Sequence, residues 1–155
     1  MTGQQKFFEL LGSAGPVDPR VLDELWAALP TVHIDELEGR WRGSGFETGH
    51  RTGRLLARSG WYGKNFGSRF DVQPMLCRGS DGELYSDVAA GKGEASLWMV
   101  EFRGECTATM IYDGMPVFDH FKRVDDRTLM GIMNGKDVLD GGEHFYFALM
   151  RDETD

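Results

Sequence analysis

The last third of the chain is a series of strand-forming segments, and most of the links between them can reach only an antiparallel neighbour. Ser96–Arg103, Glu105–Tyr112, Val117–Val124, Thr128–Met133 and His144–Arg151 are rich in β-branched and aromatic residues alternating with polar ones. Gly104, Asp113-Gly114-Met115-Pro116, Asp125-Asp126-Arg127 and a glycine-rich loop through Gly142 separate them. Such a meander carries two unpaired edges unless it closes on itself. Gly39–Thr48, Trp61–Phe66, Phe70–Arg78 and Glu83–Ser86 read as earlier strands, with a helical turn at Arg54–Arg58. The pattern predicts an all-β fold with N-terminal helices, in which an antiparallel meander over residues 39–151 closes into a β-barrel. The alternative is an open, strongly bent sheet wrapped on those helices.

The first thirty residues follow a different period. Phe7, Phe8, Leu10 and Leu11 cluster before Gly12. Asp18-Pro19 then offers an N-cap and a first-turn proline, and Val21, Leu22, Leu25, Trp26 and Leu29 share one helical face until Pro30. A helix this short needs a surface to pack on, so segment 1–30 is expected to close one end or side of the barrel. With no repeat, low-complexity tract or linker, the 155 residues read as one domain, 1–155.

A formal net charge of −8 argues against a phosphate-backbone partner, and no nucleic acid is expected. Arg40, Arg42, Arg51, Arg54 and Arg58 gather positive charge locally but lie among glycines and aromatics, and read as a solvated strand face. Met1 to Leu11 has neither the apolar run nor the cleavage site of a secretory leader, and no stretch reaches bilayer-spanning length. Cys77 and Cys106 lack metal-type spacing and read as reduced thiols, with a disulfide between them left open. The expectation is a cytoplasmic protein without integral membrane association.

Gly39-Arg40-Trp41-Arg42-Gly43-Ser44-Gly45 reads G-x-W-x-G-x-G. Alternation puts Trp41 on one strand face with three glycines, where small neighbours admit a large ring or another element. The structural reading is a tryptophan plugging a barrel end. The segment resembles the start of the GXWXG family, whose members pair it with a C-terminal domain of unknown function. The resemblance extends from about residue 20 to the end. It includes Trp61-Tyr62-Gly63-Lys64-Asn65-Phe66, Val72-Gln73-Pro74-Met75-Leu76, Met99-Val100-Glu101-Phe102-Arg103-Gly104, Thr109-Met110-Ile111-Tyr112-Asp113 and Pro116-Val117-Phe118-Asp119-His120-Phe121. It implies no established activity. The G-x-W-x-G-x-G start is also similar to lipocalin-like barrels and to haem-binding nitrobindins, which hold haem through a histidine on a late strand. That likeness would give His144 the role of axial ligand.

Asp119-His120-Phe121 is the constellation most suited to chemistry. Neighbours on a strand point to opposite faces, so either Asp119 or His120 faces the interior. A buried Asp119 would have a raised pKa; an inward His120 would titrate near neutrality; either is a candidate acid or base. Tyr112 and Asp113 end the preceding strand within reach of both. Lys64, inside an aromatic run, is expected to share a side with Tyr62 and Phe66 and to grip a carboxylate or sulfate head, or simply to pack its stem on rings. Met99, Met110, Met115, Met130, Met133 and Met150 fill the core or line an adaptable cavity. His33, His50, His120 and His144 show no metal-ligand spacing, and no phosphate loop, dinucleotide fingerprint or nucleophile elbow is present. No metal and no cofactor are expected.

Three functions follow as expectations. The first is binding of a small apolar molecule with a polar head, such as a lipid, fatty acid, isoprenoid or polyketide-like compound. Trp41, Trp61, Tyr62, Lys64, Phe66, Tyr112, Asp113 and Phe121 would form its site. The second is a cofactor-independent isomerase, cyclase or dehydratase using Asp119 or His120 in the same pocket. The third is haem binding through His144 or His120.

Overall fold

The computed structural model describes residues 2–152. Two helices come first, α1 (Gly3–Leu11) and α2 (Pro19–Ala28). Thr2 caps α1 in a reciprocal box with Gln5, and Asp18 caps α2 ahead of Pro19. After a 3₁₀ turn at Ile34–Glu36 the chain enters the sheet: β1 (Gly39–Gly45), α3 (Arg51–Ser59), β2 (Trp61–Ser68), β3 (Asp71–Arg78), β4 (Leu84–Ser86) and α4 (Val88–Gly91). Five longer strands complete it: β5 (Ala95–Phe102), β6 (Glu105–Tyr112), β7 (Phe118–Asp125), β8 (Thr128–Asn134) and β9 (Phe145–Arg151).

Every pairing is antiparallel, and strands β5 to β9 pair in sequence. β9 returns to β1, β1 pairs β2, β2 pairs β3, and β3 meets β5, so eight strands close into a barrel. The open-sheet alternative is thereby excluded. The β3–β5 seam is narrow, a single bridge between Val72 and Ala95. Beyond it β3 pairs instead with the short β4, outside the ring of eight.

Side-chain alternation builds two cores. Leu129 on β8, Phe121 on β7 and Phe145, Phe147 and Leu149 on β9 point into the barrel. Met130, Ile132, Val124, Tyr146 and Ala148 point outward and are buried by Phe7, Leu22 and Trp26 of the N-terminal helices. Strands β7 to β9 are thus covered on both faces, which accounts for their nearly continuous apolar sequence. The helices cover a side of the barrel, and Lys122 fixes them there. Its ammonium is fully buried, donates to the Trp26 carbonyl at 3.0 Å and pairs with Glu105.

Candidate functional site

The barrel holds a cavity of about 370 Å³, whose lining includes Trp61, Phe145, Phe147, Met75, Met115 and Met133. Two charged side chains stand in that lining among the described residues, Lys64 and Asp119. Their Nζ and Oδ2 lie 3.0 Å apart, with side chains 3% and 2% exposed. The lysine also donates to the Pro74 carbonyl at 3.3 Å. Its ammonium sits 5.5 Å from the Trp61 and Phe147 ring centres and 5.7 Å from that of Tyr112, a cage that suits a cation.

Burial holds the Asp119 carboxyl above the ordinary carboxylate range, and the Lys64 ammonium opposes that rise. The second carboxylate oxygen, Oδ1, is buried and has no hydrogen-bond partner among the described residues. Burial, and then the Asp119 charge, drive the Tyr112 phenol well above its ordinary pKa, so it stays protonated at any physiological pH.

Local sequence explains why these groups meet. The β2–β3 register shifts between Trp61 and Gly63, a bulge at Tyr62. Trp61 and Lys64, three apart, therefore share the inner face. Gly63 allows the bulge to lie against β1, since a Cβ there would sit 1.9 Å from the Trp41 carbonyl oxygen. The glycines of the G-x-W-x-G-x-G segment serve the cavity too: a Cβ on Gly43 would meet the Trp61 ring at 2.1 Å, and one on Gly45 would meet Phe145 at 2.9 Å. Gly131 makes the same allowance for Phe147, at 2.3 Å.

One wall of the cavity is helical. Thr52, Leu55, Leu56 and Ser59 fall on one face of α3 and complete the lining. His50 caps this helix, Nδ1 accepting from the Thr52 N–H at 3.0 Å and Nε2 donating to the Val138 carbonyl at 2.9 Å. Arg51 ties the same end to the 137–140 loop through the Asp137 and Leu139 carbonyls and Asp140. Gly60, in the left-handed region at φ 73°, ends the helix. Arg51, Arg54 and Arg58 ride on this helix while Arg40 and Arg42 ride on β1, so the five arginines do not form one strand face.

The structure sorts the residues expected from sequence. Trp61, Lys64, Tyr112 and Asp119 line the cavity. Register settles the choice between Asp119 and His120: Asp119 pairs with Met110 on the inner face, and His120 turns outward. His120 stacks on Phe102 at 4.0 Å, with Thr109 on Nδ1 at 2.9 Å and Asn134 on Nε2 at 3.1 Å. Burial, and then the charges of His144 and Arg103, lower its pKa to about 4.

Tyr62 does not share a side with Lys64; the bulge turns it outward, where its hydroxyl donates to Asp152 at 2.6 Å. Trp41, Phe66 and Phe121 belong to the barrel core rather than to the cavity lining. Trp41 donates to the Leu37 carbonyl at 2.7 Å, and Phe121 packs edge-on against Phe66 and Phe147. Asp113 lies in the exposed β6–β7 turn and is not part of the lining. His144 is likewise outside it, with Nδ1 on the Met133 carbonyl at 2.9 Å and its ring edge-on to Phe102. Neither histidine proposed for haem faces the cavity.

Residues that sequence reasoning missed are Phe145, Phe147, Met75 and the inner face of α3. The two phenylalanines carried a legible signal, since alternate positions of an aromatic strand share one face.

The family model described as GXWXG protein matches residues 24–82, and that described as domain of unknown function DUF4334 matches residues 93–151. A crystal structure of a protein from Thermomonospora curvata is similar at 36% identity and a TM-score of 0.86, over 99% of this chain and 100% of that one. A search of curated proteins finds no match. The motif, the two consecutive family matches and the full-length likeness agree, and the chain belongs to the GXWXG family with its C-terminal DUF4334 domain.

Proposed function

We propose that the protein binds a small apolar molecule in the barrel cavity, in the manner of a lipocalin-like carrier, with the ligand's polar head beside Lys64 and Asp119. The observation that carries this reading is the cavity itself. It is about 370 Å³, at the small end of the range of about 300–1,000 Å³ usual for ligand sites, and it is apolar apart from a few convergent polar groups. Met75, Met115 and Met133 give it an adaptable wall. Among the described residues no helix is long and apolar enough to cross a membrane. Cys77 and Cys106 are both free thiols, in keeping with a cytoplasmic location.

Fluorescence titration with 1-aminoanthracene, an uncharged apolar probe, tests this reading. Saturable enhancement is expected with the wild-type protein and is expected to vanish in Met75→Trp and Met133→Trp, which fill the cavity. Absence of saturable enhancement in the wild type would refute the reading.

One observation favours a second reading, an acid/base enzyme. Lys64 holds Oδ2 of Asp119 while Oδ1 has no partner among the described residues, so one oxygen is anchored and the other is uncommitted. An isomerase, cyclase or dehydratase working through Asp119 predicts that Asp119→Asn abolishes turnover while probe binding persists.

A further inference from the structure

We infer that the cavity selects an uncharged ligand with a hydroxyl head and turns away the matching carboxylate, an inference that rests on the binding reading above. An unpaired lysine among aromatic rings would attract an acid. Here, however, Lys64 and Asp119 neutralise each other across 3.0 Å, and no other charged side chain lines the cavity among the described residues.

A carboxylate ligand has two ways in, and both are unfavourable. It can leave the ion pair intact and set its own charge beside Asp119. It can instead take Lys64 from Asp119 and leave that carboxylate buried and alone. Either way one anion in a poorly hydrated site lacks a partner. An ammonium head meets the mirror problem, a second cation beside Lys64.

A hydroxyl brings no net charge and supplies what the wall lacks. Asp119 Oδ1 is a buried acceptor without a donor among the described residues, and a ligand O–H would satisfy it. The Lys64 ammonium has three N–H groups; one is directed to Asp119 Oδ2 and one to the Pro74 carbonyl. The third, amid the rings of Trp61, Tyr112 and Phe147, is left to donate to the ligand's oxygen. The same hydroxyl thus donates to the acid and accepts from the base. Aliphatic and aromatic lining from Met75, Met115, Phe145 and Phe147 then takes the hydrocarbon body.

Calorimetric titration of the intact protein at pH 7.5 with 1-decanol, decanoate and decylamine, which share one chain length, tests this. The alcohol is expected to bind about tenfold or more tighter than either charged analogue, since one unpaired buried charge outweighs about 1.4 kcal/mol, the equivalent of tenfold. Asp119→Asn leaves Lys64 without its anion and is expected to invert the order, with decanoate now tighter than decanol. If that variant does not fold, the wild-type comparison still decides. Decanoate binding the wild type as tightly as decanol would overturn the selectivity and leave the binding reading standing. Failure of all three to bind would overturn both.

Discussion

Removing either member of the Lys64–Asp119 pair alone should destabilise the protein severely, and removing both together should not. At 3.0 Å and an effective dielectric near 20, the mutual attraction is about 5 kcal/mol. Desolvation of the two ions consumes much of that gain, so the pair adds little net stability over an apolar replacement. A lone survivor, by contrast, keeps its desolvation cost and loses its partner. Lys64→Met and Asp119→Leu should therefore each cost about 3–5 kcal/mol, while the double variant Lys64→Met/Asp119→Leu should lie within about 2 kcal/mol of the wild type. Urea unfolding followed by tryptophan fluorescence, with the midpoint and the slope fitted separately, measures all four corners of the cycle. Two results would contradict a mutually dependent buried pair. Single variants costing under about 1 kcal/mol would mean that cavity water solvates the pair. A double variant as unstable as the two singles combined would mean that the side chains matter for packing and not for each other.

Other consequences follow from the same geometry. Gly43→Ala forces a methyl to within 2.1 Å of the Trp61 ring, and should cost about 1–3 kcal/mol and shift the tryptophan emission. His120 has its folded pKa lowered to about 4 against an ordinary 6.5, so the unfolded chain binds more protons in between. Its contribution is complete above pH 6.5 and is lost as pH falls toward 4, about 3 kcal/mol in all, and His120→Gln should flatten that part of the stability profile. His50→Ala removes the α3 cap and its tie to Val138; it should cost about 1–2 kcal/mol and speed amide exchange across Arg51–Ser59 ahead of the strands.

Much of the barrel was legible in the chain because its information is local. Period-two alternation and glycine or aspartate turns place β6 at Glu105–Tyr112 and the strands around it within a residue or two. The α3 helix was legible only as a turn at Arg54–Arg58, because its cap is a histidine rather than the usual serine, threonine or aspartate. The site was legible in its parts and not in its pairing. Asp119 and Lys64 each stood out, yet they lie 55 positions apart and meet only because β1 closes on β9 and β2 on β3. Alternation alone left Asp119 and His120 equivalent, and the β6–β7 register resolved them. The bulge at Tyr62 broke the alternation that placed Lys64 with Tyr62. Gly63 was its visible trace, but a glycine within a strand does not announce which neighbour will turn.

The proposed function requires the interior beside Lys64 and Asp119 to be a ligand site. A crystal structure of the protein grown with 1-decanol would show whether it is one. An alkyl chain is expected between Trp61, Phe145 and Phe147, with its hydroxyl within hydrogen-bond distance of Asp119 and Lys64. A cavity filled by ordered water, with decanol absent or held only on the outer surface, would contradict it.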